Sequence, residues 1–144
     1  MEFVSNKKPV MGDQIRVQRN LYSHHGIYIG NDRVIQFGST TGELDPSKAM
    51  VIETSLDEFL KGGVLEVAEY SEEDLKKKRK PEEVVEYAKA HLGDTGYDLI
   101  NNNCEHFSNE CAFGLHKSFQ VDDVLSLFET LFGGMRKWKY FYKL

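Results

Sequence analysis

The segment NNNCEHFSNE, residues 101–110, places Cys104 directly after three asparagines, and Cys104 is one of only two cysteines in the 144-residue chain. The pattern predicts a helix from about Cys104 to Phe113, stopped by Gly114, with Asn103 as its N-cap. A thiol in that position lies beside unpaired backbone N–H groups and the positive end of the helix dipole, which favour a thiolate. The same N–H groups can hold the oxyanion of an acyl-transfer intermediate. The spacing therefore favours Cys104 as a nucleophile.

Two other interpretations of Cys104 compete with the nucleophile. Free cysteine is among the most buried residue types, so a structural thiol is the simplest alternative, and we predict a packing role for Cys111. A zinc site would use Cys104, His106, Cys111 and His116. On one helix the two sulfur atoms would lie about 10 Å apart, which is too far for one zinc ion or for a disulfide. We therefore expect no metal.

A cysteine nucleophile needs a general base and a third polar group that orients the base. His24 and His25 lie in a predicted strand, so one of them faces inward, and a rigid strand facing a helix N-terminus suits a thiol–imidazole pair. Gln36, on the next predicted strand, has the same parity as His24 and stands where an apolar residue would fit. A turn at Asn31-Asp32 would offset the two side chains, so the sequence leaves the register open. An outward-facing Gln36 is the alternative.

Polar–apolar alternation and turn signals predict strands early in the chain and helices late. Strands are predicted at 13–19, 24–30, 33–38, 49–53 and 64–70, with the second and third forming a hairpin. Helices are predicted at 54–60 with a Ser55–Glu58 capping box, from Pro81 to about Leu92, at 104–113 and at 121–132. The charged run at 71–80 is expected to be a solvated helix or linker. This order predicts an α+β fold in which an antiparallel sheet packs on helices.

The composition bounds the class of protein. Hydrophobic residues make up 40% of the chain and no run of 18 or more is apolar, which predicts one globular domain, residues 1–144, without a transmembrane segment. The net charge of −5 makes nucleic acid an unlikely partner. The two cysteines and the lack of an apolar h-region near the N-terminus lead us to expect a cytoplasmic protein.

Two sequence boxes resemble the lecithin:retinol acyltransferase-like (LRAT-like) family, which includes the H-Ras-like-suppressor phospholipases and acyltransferases. The stretch SHHGIYIGNDRVIQF is similar to the family's histidine box, with His24 in its first position and His25 in its aromatic position. Gln36 falls where most members have a histidine. Because glutamine does not titrate, it would orient the imidazole without strongly raising its basicity.

The second box, NNCEHF, matches the family's cysteine box throughout, and Gly12-Asp13 matches the family's opening. The resemblance runs from about residue 10 to residue 117, which would form the core, and leaves a helix and a basic-aromatic tail at 118–144. It implies a circularly permuted papain-like (NlpC-type) fold.

The resemblance also implies the chemistry of the site. Cys104 would attack an ester or amide carbonyl and become acylated, His24 would take the thiol proton, and Gln36 would hold the imidazole. Tyr22, two residues before the histidine, would help to bind the oxyanion, with simple packing as the alternative. The implied substrate is a lipid or another acyl ester, and no cofactor is implied.

Membrane contact is a separate expectation that concerns the tail. Vertebrate relatives carry a hydrophobic C-terminal anchor, whereas MRKWKYFYKL stands at the end of this sequence. Alternating Lys137, Trp138, Lys139 and Tyr140 suit a lysine-rich edge strand, which we favour, or a peripheral contact with anionic lipid.

Three functions remain in competition at this stage. The first is a cysteine-dependent acyltransferase or phospholipase A-like hydrolase. The second is a papain-like peptidase or amidase of the cell-wall type, against which the missing export signal counts. The third is a non-catalytic regulatory or binding protein that retains the fold, against which the intact Cys104 and His24 count.

Overall fold

The computed structural model of the chain describes residues 1–39, 48–97, 103–114, 118, 121–123 and 125–126. The strands are β1 (Glu2–Val4), β2 (Gln14–Gln18), β3 (Ser23–Gly30), β4 (Arg33–Gly38), β5 (Met50–Ser55) and β6 (Glu66–Glu69). The helices are α1 (Leu56–Leu60), α2 (Glu72–Lys77), α3 (Pro81–Ala90) and α4 (Cys104–Phe113). The six strands form one antiparallel sheet, so the predicted α+β class is confirmed.

The strands lie in the order β1-β6-β2-β3-β4-β5, which puts β3 in the interior of the sheet. Five of the six strands were predicted, whereas β1 was not. Its three residues are too short to show an alternation, and it becomes a strand because it pairs with β6, Phe3 lying opposite Ala68. This pairing also brings the Phe3 ring against His25, with 5.4 Å between the ring centroids.

The β3–β4 hairpin turns at Asn31 and Asp32, which settles the register that the sequence left open. Their φ angles of 51° and 54° fit a two-residue hairpin turn, because asparagine and aspartate tolerate the left-handed region. Beyond the turn the register shifts by one residue, since Gly30 pairs with Arg33 whereas Tyr28 pairs with Val34. Ile29 is therefore the extra residue of a β-bulge on β3.

Hydrophobic side chains cover both faces of the sheet. Helices α3 and α4 pack on one face, in a cluster that contains Ile27, Ile35, Phe37, Val51, Val84, Ala88, Cys104, Phe107 and Cys111. Phe59 of α1 packs on the other face, in a cluster that contains Ile15, Val17, Tyr28, Val34 and Val67. Because side chains alternate along β3, even-numbered residues face α1 and odd-numbered residues face α4. The predicted packing role of Cys111 is confirmed, since its side chain is fully buried in the first cluster.

The helix boundaries follow the predicted capping signals in most places. The Ser55–Glu58 capping box opens α1, and Pro81 opens α3. Helix α2 has no buried residue, as expected for a solvated segment. The predicted extension of α3 to Leu92 was wrong, because the helix ends at Ala90 and Leu92 is 42% exposed.

The last predictions concern the C-terminal region. The residues described there, 121–123 and 125–126, are helical. The rest of the predicted helix and the tail residues Lys137, Trp138, Lys139 and Tyr140 lie outside the described residues. Within the described ranges, none of the helices combines the length and the apolar character that crossing a membrane requires.

Candidate active site

Helix α4 presents Cys104 at its first position, and Asn103 caps the helix as predicted. The Asn103 side-chain oxygen accepts hydrogen bonds from the backbone N–H groups of Glu105 (2.9 Å) and His106 (3.0 Å). The Asn103 carbonyl accepts a third from the N–H of Phe107. The expectation that several N–H groups remain for an oxyanion was therefore wrong. In the first turn, only the Cys104 N–H is not engaged by Asn103.

His106 completes this cap and so has a structural task. Its Nδ1 accepts a hydrogen bond from the Asn103 backbone N–H at 3.0 Å, and the side chain is buried.

The Cys104 sulfur lies against the main chain of β3, on both sides of His24. It is 3.9 Å from the Ser23 carbonyl oxygen, and the His25 backbone N–H donates to it. The backbone of Tyr28 in β3 bonds to the Asp13 segment that leads into β2. Because main-chain groups alternate in direction along a strand, those of the odd-numbered residues of β3 point toward β4.

The paired register of β3 and β4 ends at Ile27 opposite Ile35, although both strands continue. The sulfur therefore lies against the part of β3 beyond this paired register.

Burial dominates the ionisation of the Cys104 thiol. Removal from water raises the pKa of Cys104 to about 11, although the N–H groups of His25, Glu105 and Cys104 itself act to lower it. The charge of Glu105 raises it further. The expectation that the helix N-terminus produces a thiolate was wrong for this arrangement, because desolvation outweighs the N–H groups. At neutral pH the resting group is a thiol.

His24 and Gln36 meet on the opposite, α1-facing side of the sheet. The His24 Nε2 and the Gln36 Oε1 are 2.5 Å apart, and both side chains are buried. The His24 ring packs on Phe59 with 5.0 Å between the centroids. The Ile29 bulge sets this meeting, because it brings Gln36 to the same face as His24. Gln36 is thus inward-facing, and the outward alternative was wrong.

The imidazole of His24 is neutral at physiological pH. Burial lowers the pKa of His24 to about 4, with Arg19 and Lys61 contributing in the same direction, while the hydrogen bond to Gln36 acts to raise it. A neutral imidazole can accept a proton, which is what a general base requires. Among the described residues, however, the hydrogen bonds of Cys104 go to main-chain groups and not to the His24 ring.

Thr54 is a site residue that the sequence analysis missed. Its hydroxyl oxygen accepts a hydrogen bond from the Gln36 side-chain NH₂ at 2.8 Å and lies 3.1 Å from the Ser55 carbonyl oxygen. A polar residue at a buried position of a strand is the signal that could have found it. The strand register was also needed, because Thr54 belongs to β5 and pairs with Val34.

His25 lies on the α4 side, away from Gln36. Its Nε2 has no hydrogen-bond partner in the described part of the chain and is 3.8 Å from a carboxylate oxygen of Glu105. Burial and the neighbouring His24 lower the pKa of His25 to about 3. The Glu105 carboxylate also accepts a hydrogen bond from Ser118 at 2.6 Å.

A cavity of about 1010 Å³ opens over the His24–Gln36 pair. Tyr22, Ile52 and Thr54 are among the residues that line it, so Tyr22 shares this space with the imidazole. Cys104 is not among the lining residues. The cavity is large enough to hold a small organic ligand or part of a lipid. Within the described ranges, no group of three or more His, Cys, Asp or Glu residues is placed to bind a metal ion.

Comparison with known proteins gives one family and several relatives. The family model described as Lecithin retinol acyltransferase matches residues 7–117. The chain is 30% identical over 132 residues to lecithin retinol acyltransferase of Rattus norvegicus, covering 77% of this chain and 57% of that protein. It is 32% identical over 155 residues to protein LEAD-SENSITIVE 1 of Arabidopsis thaliana, covering 77% and 59% respectively.

A third relative is covered over more of its length. Phospholipase A and acyltransferase 3 of Homo sapiens is 27% identical over 128 residues, covering 82% of this chain and 79% of that protein. The match therefore spans less than two thirds of the lecithin retinol acyltransferases and more than three quarters of this relative.

Proposed function

Because the chain belongs to the lecithin retinol acyltransferase family, we propose that it transfers or hydrolyses acyl groups of lipid esters through a thioester on Cys104. Relatives named lecithin retinol acyltransferase and phospholipase A and acyltransferase support lipid esters as the substrate class. The observation that carries the proposal is the position of the Cys104 sulfur against the main chain on either side of His24, whose imidazole is neutral.

The first half of the reaction forms the acyl-enzyme. The Cys104 sulfur attacks the ester carbonyl while the His24 Nδ1 takes the thiol proton. The oxyanion of the tetrahedral intermediate is held by the Cys104 N–H and the Tyr22 hydroxyl. When the carbon–oxygen bond of the ester breaks, the imidazolium returns the proton to the leaving alcohol. Since the resting pair is a thiol and a neutral imidazole, proton transfer accompanies the attack.

The second half releases the acyl group. Water, an alcohol or an amine attacks the thioester, His24 accepts its proton, and the sulfur leaves and is reprotonated. Hydrolysis gives a free fatty acid, whereas an alcohol or amine gives a new ester or amide. The nucleophile that reaches the thioester therefore decides between the two outcomes.

Intact-mass measurement after incubation with a phosphatidylcholine tests the proposal. The wild-type protein is expected to gain the mass of one acyl group, which Cys104→Ala should abolish. Cys111→Ala is the matched control, because Cys111 is a buried thiol of the same helix that packs in the hydrophobic cluster. It should retain the adduct.

Two results would count against the proposal. One is an adduct of equal yield on Cys104→Ala. The other is the absence of an adduct and of released fatty acid with any phospholipid or neutral ester offered.

A further inference from the structure

We propose that Thr54 is a positioning residue that selects the tautomer of His24 through the amide of Gln36. The inference rests on the proposed function only for its catalytic consequence. The selection itself follows from the hydrogen bonds that join β3, β4 and β5. Thr54 does not touch the reacting atoms in this scheme.

Gln36 lies between two partners that make opposite demands on its amide. Its Oε1 faces the His24 Nε2 at 2.5 Å, and its Nε2 faces the Thr54 hydroxyl at 2.8 Å. The two ends of an amide have the same shape but opposite hydrogen-bonding character. A half-turn of the amide would therefore fit the same space and reverse both hydrogen bonds.

The Thr54 hydroxyl decides between these two orientations. It has a single proton, and that proton is directed to the Ser55 carbonyl oxygen at 3.1 Å. Toward Gln36 the hydroxyl can then act only as an acceptor. The Gln36 NH₂ group must point at Thr54, which leaves the Gln36 oxygen pointing at His24.

The oxygen of Gln36 in turn fixes where the imidazole carries its proton. An amide oxygen only accepts, so the His24 Nε2 must be the protonated nitrogen. The His24 Nδ1 is left with its lone pair, which is the form that can take a proton from a thiol. With the amide reversed, the NH₂ group would donate to Nε2 and move the ring proton to Nδ1. A ring protonated at Nδ1 cannot accept the thiol proton there.

Burial makes this selection effective. Gln36 and His24 are 6% and 7% exposed and Thr54 is 8% exposed, so water competes little for these groups. The tautomer of His24 must be set by the direction of hydrogen bonds and not by charge, because glutamine and threonine do not ionise. A single hydroxyl at the far end of the network thereby controls the state of the imidazole.

Nitrogen-15 NMR of the protein with labelled histidine measures the tautomer directly, without any need for activity. At pH 7 the His24 ring is neutral, since its pKa is lowered to about 4. The wild type is expected to show a protonated Nε2 and an unprotonated Nδ1. Thr54→Val, which keeps the shape but lacks the acceptor, should raise the share of the Nδ1-protonated form. Thr54→Ser should restore the wild-type signature.

Kinetics provide the second readout. Thr54→Val should lower the rate constant of Cys104 acylation about two- to tenfold, the range expected when a hydrogen bond of ordinary net strength is lost. The KM should change little, and Thr54→Ser should recover the rate. Thr95→Val is the control, because Thr95 is an exposed threonine outside this network and should behave like the wild type. If Thr54→Val does not fold, Thr54→Ala replaces it, because alanine also lacks the acceptor.

The outcomes separate this inference from the proposed function. A wild-type ring protonated at Nδ1, or an unchanged tautomer in both Thr54→Val and Thr54→Ala, overturns the inference. A tautomer that responds as expected in a protein that never becomes acylated upholds the inference and contradicts the proposed function.

Discussion

Burial and the uncharged oxygen of Gln36 act in opposite directions on how strongly the imidazole of His24 holds a proton. A histidine at this position could share a charge with the ring, whereas glutamine cannot. The hydrogen bond that His24 donates to the Gln36 oxygen acts to raise the pKa of His24, but burial outweighs it and the pKa falls to about 4. The imidazole is consequently a weak base that is available over nearly the whole physiological pH range.

Gln36→Glu should strengthen this base. A carboxylate at 2.5 Å from Nε2 favours the imidazolium, so the pKa of His24 should rise by roughly 1–3 units. Because the base must be unprotonated before attack, the acid limb of the kcat/KM profile should move upward by the same amount. The profile of the acylation rate between pH 4 and 8 measures the shift.

Gln36→Met is the matched variant, because it removes the acceptor without adding charge. It should not move the acid limb upward, since it removes the hydrogen bond from His24 to the Gln36 oxygen, which acts to raise the pKa of His24. An identical acid limb in Gln36→Glu and the wild type would show that His24 is not the base.

Local residue patterns predicted part of this site. Cys104 behind a capping asparagine is a short-range signal, and the structure has this feature. The shared parity of His24 and Gln36 left the register open, because their meeting depends on the Ile29 bulge, which the sequence did not reveal. Thr54 could not be predicted in the same way, because its place depends on the pairing of β4 with a strand that is distant in sequence. Nor could the sequence show that burial would outweigh the helix N-terminus at the thiol.

At the scale of elements, the start of α4 joins folding to chemistry. Asn103 ties the first turn together through its side-chain oxygen, and its NH₂ group lies 3.3 Å from the Ser118 hydroxyl. Ser118 in turn donates to Glu105. The cap thus holds in place both the helix that presents Cys104 and the side chain of Glu105.

Asn103→Ala should lower the free energy of unfolding by about 0.5–2 kcal/mol, the usual cost of a lost N-cap. Cys104 should also react faster with iodoacetamide, because fraying of the first turn exposes a thiol that is only 3% exposed. Urea denaturation and mass spectrometry of the labelled protein measure the two effects.

Ser71→Ala is the control for that experiment, because Ser71 caps helix α2, which has no buried residue. It should cost similar stability and leave the labelling of Cys104 unchanged. Equal labelling rates in the wild type and Asn103→Ala would show that the cap does not protect the thiol.

The features that the sequence missed lack a decisive local signal. Strand β1 exists because β6 supplies hydrogen bonds, and its three residues carry little signal of their own. Leu92 fits an apolar stripe by spacing, yet the helix ends two residues earlier and leaves it exposed. Strands with longer alternation and helices with clear caps were predicted, because those signals are local.

At the scale of the whole molecule, two buried histidines couple the stability of the fold to pH. The pKa values of His24 and His25 are lowered to about 4 and about 3, against 6.5 for an ordinary histidine. At pH values between these lowered pKa values and 6.5, the unfolded chain binds protons that the folded chain does not. Stability is therefore fully present above about pH 6.5 and declines as pH falls toward 4 and then 3.

Two such groups should give a slope of up to about 2.7 kcal/mol per pH unit in the free energy of unfolding. Urea denaturation at intervals from pH 7.5 to 5 measures it. His25→Phe, which keeps an aromatic ring at this position, should remove about half of the slope. A slope unaffected by His25→Phe would show that His25 does not take up a proton on unfolding.

Because Ile29 is an extra residue, the number of residues between His24 and Gln36 decides which face of the sheet the Gln36 side chain takes. Without it, the pairing of Gly30 with Arg33 would continue regularly and bring Gln36 opposite Ile27, on the side of His25. Insertions or deletions of two residues between positions 24 and 36 should accordingly be tolerated, whereas those of one residue should not. An insertion or deletion of an odd number of residues would place the Gln36 amide on the side of His25. Every residue of the histidine and cysteine boxes would still be present.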